Sequence, residues 1–137
     1  MAAGKRILVA EASAFSRGLI RTGLDMAGYR VREAASLEEA LRELERQPVD
    51  VVVASLDLPP QGSAALLEAM RRRPDWEAIP VLALVDSAGQ AEQSEIRAAG
   101  FRDCQPKFDQ QAMLESVARL AAALAEAEPA LSGAQER

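Results

Sequence analysis

Apolar residues along the chain fall into short unbroken runs, separated by longer stretches in which they recur every three or four positions. The run Ile7-Leu8-Val9-Ala10 lacks the alternation of a half-exposed strand, which is the pattern of a strand buried on both faces of a parallel sheet; Val49 to Ala54, rich in β-branched residues, and Ile79 to Val85 read as further buried strands. Weaker β-favouring segments at Tyr29–Glu33 and Phe101–Gln105 bring the number of expected strands to five. Between them, helical spacing predicts helices over about 14–27, 37–46, 64–73, 88–99 and from 110 onward. In the first, Phe15, Leu19, Leu24 and Met26 lie mostly on one side and are expected to form its packing face. Ser13 and Asp109 stand at helix N-caps, and Ser36 with Glu39 has the spacing of a capping box. Gly28 and Gly100 fall where a helix C-terminus favours a left-handed residue, and Pro48 and Pro74 end helices.

Strands that alternate with helices through short loops must run parallel, because each crossover returns the chain to the same edge of the sheet. The pattern therefore predicts one doubly wound α/β domain with strand order 2-1-3-4-5. The domain is expected over residues 5–126, with 127–137, small, polar and containing Gly133, as a disordered tail or linker. Ligands of such sheets bind outside the carboxyl ends of the strands, near the switch between strands one and three. Those ends carry Glu11-Ala12-Ser13, Ser55-Leu56-Asp57, Val85-Asp86-Ser87 and Pro106-Lys107.

Composition narrows the chemistry. The 137 residues suit a single core, and a net charge of -5 argues against nucleic-acid or membrane surfaces, leaving proteins as partners. There is no histidine, so imidazole metal sites and Ser-His-Asp triads are excluded within the chain. The one cysteine, Cys104, forms no internal bridge and suits a reducing cytoplasm. The apolar run before Glu11 is too short for a signal-peptide core or a membrane span.

Several of these pieces, in this order and spacing, resemble the receiver domains of two-component response regulators over about residues 5–125. They are Ile7 through Ser13 with Arg17 four residues later, Leu58-Pro59, Ile79-Pro80-Val81, Ala99-Gly100 and Lys107. Ala99-Gly100-Phe101, Asp103 and Lys107-Phe108-Asp109, with Trp76 upstream, look most like the receiver at the C-terminus of hybrid chemotaxis histidine kinases. The resemblance implies a flavodoxin-like (βα)5 three-layer sandwich. It also implies transfer of a phosphoryl group from a kinase phosphohistidine to an aspartate after strand three. Acidic residues after strand one would hold Mg²⁺, and a hydroxyl after strand four and a lysine after strand five would touch the phosphoryl oxygens. Carried onto this chain, Glu11 keeps the first acidic place, Ala12 stands in the second, and Ser55 takes the acceptor position. Val85 takes the hydroxyl position, Cys104 that of the switch aromatic, and Lys107 is retained.

A serine hydroxyl is un-ionised at neutral pH and this chain has no histidine to activate it, so Ser55 is expected to be a poor acceptor. Glu11 without a second carboxylate leaves weak or absent Mg²⁺ binding, and no metal or other cofactor is expected. Asp57 is read as a loop carboxylate rather than a substitute acceptor, and Asp86 as a polar residue ahead of a Ser87 cap with Gln90 in the box position. Lys107 is expected to pair with Glu11 and close the pocket, Cys104 to pack, Arg71-Arg72-Arg73 to complement a helix terminus, and Trp76 to anchor the connection to strand four. The resulting expectation is a non-enzymatic, cytoplasmic pseudo-receiver of two-component, chemotaxis-type signalling. It would bind a histidine kinase or another signalling protein through helix four, strand five and helix five, without contacting nucleic acid or inserting in a membrane. Two alternatives remain: an active receiver in which Asp57 or Glu11 accepts phosphate, and a small-molecule-binding domain that uses the emptied crevice.

Overall fold

The computed structural model describes residues 4–86 and 90–136. Five strands, β1 (Arg6–Ala10), β2 (Arg30–Ala34), β3 (Val51–Ser55), β4 (Val81–Val85) and β5 (Asp103–Pro106), form one parallel sheet in the order β2-β1-β3-β4-β5. The helices are α1 (Ala14–Met26), α2 (Leu37–Arg46), α3 (Ser63–Arg71), α4 (Pro74–Glu77), α5 (Gln90–Ala99) and α6 (Gln110–Glu136). β3 and β4 are buried at every position, which is why their sequences run apolar without alternation. Two apolar layers result. Leu8, Val52, Leu66, Met70 and Trp76 belong to one, and Ile7, Val53, Leu82, Met113 and Val117 to the other.

The local signals operate as the residue chemistry dictates. Ser13 accepts from the Ser16 amide at 3.2 Å, and Asp109 accepts from Ala112 at 3.0 Å. At α2 the Ser36 hydroxyl accepts from the Glu39 amide at 3.2 Å, while the Glu39 carboxylate accepts from the Ala35 amide, one residue earlier than a strict capping box. Gly28 and Gly100 have φ of 96° and 120°, the left-handed region that favours glycine at a helix end.

Four expectations need correction. On α1 it is Ile20 and Leu24 that are buried; Phe15, Leu19 and Met26 face outward. Their spacing forms a stripe of its own, displaced from the packing stripe, and spacing alone does not say which stripe meets the sheet. Pro74 opens a further one-turn helix, α4, as a residue without an amide hydrogen readily does at the first helical position, so the fourth and fifth expected helices are α5 and α6. α3 starts at Ser63 and ends at Arg71, within two residues of the expected limits. α6 runs on through Glu136 where a disordered tail or linker is expected; the segment Ala121–Ala127 holds five alanines, the strongest helix former. The proposed Ser87 cap lies outside the described residues.

Candidate functional site

The carboxyl ends of β1, β3, β4 and β5 converge on one buried ion pair. Glu11 follows β1 directly, its amide donating to the Ala34 carbonyl at 2.9 Å. The loop after it is tightly held. Glu11 Oε2 accepts from the Ser13 amide at 2.7 Å, and Arg17 Nη1 donates to the Glu11 carbonyl at 2.9 Å and to that of Ala12 at 3.4 Å. Arg17 is itself fixed by Glu33 at 2.8 Å, which accounts for an arginine four residues past Ser13. Ser55, the last residue of β3, is 1% exposed and donates a short hydrogen bond to Glu11 Oε1. Lys107 is anchored just after β5 by its amide, which donates to the Val85 carbonyl at 2.6 Å. Its ammonium lies 3.3 Å from Glu11 Oε1 and 3.6 Å from both Asp57 Oδ1 and Asp86 Oδ1.

Burial separates these contacts in strength. The side chains of Glu11 and Lys107 are 4% and 9% exposed, so their pairing is little screened, whereas Asp57 and Asp86 stand in solvent and contribute weakly. Burial pushes the Glu11 carboxyl up, but the Ser55 hydroxyl, the Ser13 amide and the Lys107 ammonium together hold it below its ordinary value. Burial likewise opposes the Lys107 charge, and Glu11, with Asp57 and Asp86 beyond, raises its pKa nonetheless. Both groups are therefore charged at neutral pH. A protonated lysine has no lone pair to accept a proton, and a carboxylate of lowered basicity draws the Ser55 proton only weakly, so the serine oxygen stays a neutral hydroxyl.

The side chains here offer few free oxygens to a cation. Ala12 supplies no side-chain oxygen, and both Glu11 oxygens face donors. No group of three or more His, Cys, Asp or Glu side chains that could hold a metal occurs among the described residues.

Beside Lys107 a cleft of about 320 Å³ has Leu56, Leu84, Val85 and Ile96 in its walls and Asp57 and Asp86 among its lining residues. The Cys104 thiol is buried nearby in the α5-side core, and burial raises its pKa, so it is a neutral packing group. The three arginines at the C-terminal end of α3 have separate tasks. Arg71 donates to the Ala99 carbonyl at the end of α5, Arg72 pairs with Glu68, and Arg73 joins Glu45 and Asp75 while stacking on Trp76 at 4.0 Å.

Asp103 has no role of its own that the sequence predicts. It is buried, and it accepts from the Cys104 amide at 2.8 Å, the Ser116 hydroxyl at 2.6 Å, Gln105 at 3.0 Å, Arg97 at 2.6 Å and Arg119 at 3.0 Å. Burial pushes its carboxyl up, yet these donors carry it down to about 2. The available signal was an acidic residue in a strand-length segment, which requires compensating donors wherever it is buried.

The chain matches the family model of the response regulator receiver domain over residues 7–118. It belongs to that family. It is 32% identical over 92 residues to the KDP operon transcriptional regulatory protein KdpE of Escherichia coli, covering 67% of this chain but only 39% of KdpE. An uncharacterized 14.6 kDa protein of Leptolyngbya boryana is 30% identical over 97 residues, 71% of this chain and 74% of that one. In fold, the chain is similar to the chemotaxis response regulator CheY4 of Vibrio cholerae, with a TM-score of 0.78 at 24% identity over 85% of this chain and 98% of that one. This is a CheY-like receiver domain of two-component signalling, and its sheet order is the one the sequence predicts. No described helix is long and apolar enough to cross a membrane.

Proposed function

We propose that this receiver domain has lost phosphoacceptor function and acts in the cytoplasm as a protein-interaction module, without a cofactor, of two-component or chemotaxis signalling. The observation that carries the reading is the Ser55–Glu11–Lys107 arrangement. Where the resemblance calls for an acceptor carboxylate, Ser55 offers a hydroxyl directed at Glu11, and the lysine that would meet a phosphoryl group is held by that same carboxylate. Ala12 and Val85 remove the second metal carboxylate and the phosphoryl-contacting hydroxyl, and Cys104 removes the switch aromatic.

The partner face is formed by α5, β5 and α6, and a histidine kinase or another chemotaxis component is its partner. The Asp103 cluster supports a fixed geometry there, because it ties Arg97 of α5 and Ser116 and Arg119 of α6 to β5 through one buried carboxylate. Without a phosphate-driven rearrangement, binding is constitutive. Hydrogen exchange with and without beryllofluoride and Mg²⁺ tests this: protection across α5, β5 and α6 is expected to be unchanged, and a ligand-dependent change there would contradict the proposal.

A further inference from the structure

Arginines gather at the amino ends of β1 and β2, the opposite end of the strands from Glu11 and Lys107. Arg6 and Arg30 stand directly across from each other in the β1–β2 register, and Arg32 follows two positions on. Leu8, Ala10 and Ala34 pack in the core layer that includes Ala40 and Leu44 of α2, so strand alternation sets all three arginines on the α2 side. The last turn of α2 adds Arg46, since Glu43 accepts from Arg32 at 2.5 Å and from Arg46 at 3.0 Å. Asp50, just before β3, accepts from the Arg6 amide at 2.7 Å and lies 3.7 Å from the Arg6 guanidinium. Arg30 is exposed and has no ion-pair partner among the described residues. Two carboxylates thus face four arginines, a positive surplus on a chain whose net charge is -5. Folding does not call for all of them. Glu43 accounts for Arg32 and the α2 dipole for Arg46, but Arg30 opposite Arg6 is a like-charge pair, which is destabilising between neighbouring strands. Anions seated on the two guanidiniums relieve that repulsion.

We propose that this arginine surface binds an extended acidic segment of a partner protein. Neighbouring strands lie about 4.8 Å apart and alternate residues of one strand about 6.6 Å apart, so the four arginines are spread too widely for one small anion. In an extended segment, alternate side chains recur on one side at the same interval of about 6.6 Å, so carboxylates at every second position match Arg30 and Arg32 in turn. Each guanidinium offers the paired N–H donors that fit a carboxylate. A nucleic acid is a poorer occupant, because it brings one charge per about 1.7 Å of duplex against a domain that is negative as a whole. A short acidic segment stays within the patch, and screening over about 8 Å hides it from the acidic remainder of the domain. β2 and β5 are opposite edges of the sheet, so this surface is separate from the α5–β5–α6 face and does not depend on it.

The test is a titration of the ¹⁵N-labelled domain at low ionic strength with a synthetic peptide of alternating glutamate and serine, beside a lysine–serine peptide of equal length and a thymidine oligonucleotide. Saturable shifts confined to residues 5–6, 30–32 and 43–50 are expected with the glutamate peptide, weakening as salt is added. They are expected to be absent with the lysine peptide and weaker with the oligonucleotide. Arg30→Glu is expected to lower the affinity for the glutamate peptide at least about tenfold. Because it also sets a carboxylate opposite Arg6, the same substitution is expected to raise the thermal midpoint by roughly 2 °C. Arg30→Gln is expected to change both quantities in the same directions by less. No shifts, shifts centred on other elements, an unchanged affinity in Arg30→Glu, or a lowered midpoint, which would mark Arg30 as a structural residue, would each overturn the proposal. Equal or tighter binding of the oligonucleotide would assign the surface to nucleic acid and overturn it as well.

Discussion

Glu11 and Lys107 experience the same environment with opposite charges: burial penalises each, and each relieves the other. Such a pair is costly to break from one side only. Lys107→Met leaves Glu11 charged and buried and is expected to destabilise the domain by about 3 kcal/mol, whereas Lys107→Met with Glu11→Gln recovers most of that loss. Urea denaturation with an unchanged m-value checks both. Asp103 sets a pH dependence. Its pKa is depressed from an ordinary 3.8 to about 2, so its contribution is complete above the unfolded value and is lost as pH falls from about 4 through 2. That contribution is about 2 kcal/mol, and Asp103→Asn is expected to flatten the acid limb of the stability profile over this window. An identical acid limb in the variant would show that the five donors do not hold the carboxylate ionised.

Elements were legible wherever one local signal was enough. Ser13, Ser36 and Asp109 cap helices because their oxygens reach amides that the helix itself leaves free, and that needs no knowledge of the rest of the fold. The face α1 turns to the sheet was not legible, because Ile20 with Leu24 and Phe15 with Leu19 are both helical pairs and only the position of the sheet decides between them. Asp103 was missed for a related reason: its partners lie in three different elements. Gly100 shows what an element boundary costs to alter. It has φ of 120° and packs directly under the Arg71 guanidinium, so Gly100→Ala is expected to lower stability by more than about 1 kcal/mol, read as a lower thermal midpoint. A neutral effect would show that Arg71 moves freely and does not tie α3 to α5.

At the scale of the whole molecule, the strand order follows from parallel crossovers, and that order alone brings Glu11, Ser55 and Lys107 to one place although 96 residues separate the first from the last. The approach of Asp57 and Asp86 to Lys107 depends on loop paths that no periodicity encodes. If Ala12 and Ser55 are the positions that matter, Ala12→Asp with Ser55→Asp crowds three carboxylates beside Lys107. Their mutual repulsion is expected to lower the thermal midpoint without metal, and Mg²⁺ to raise it again through a stabilisation of roughly 1.4 kcal/mol at ten times Kd, while the parent shows no such response in calorimetry at constant ionic strength. The most direct measurement is the intact mass of the unaltered protein after incubation with acetyl phosphate and millimolar Mg²⁺, beside a phosphorylation-competent receiver as control. The mass is expected to remain that of the unmodified chain; a hydroxylamine-labile phosphoryl adduct on it would contradict the account.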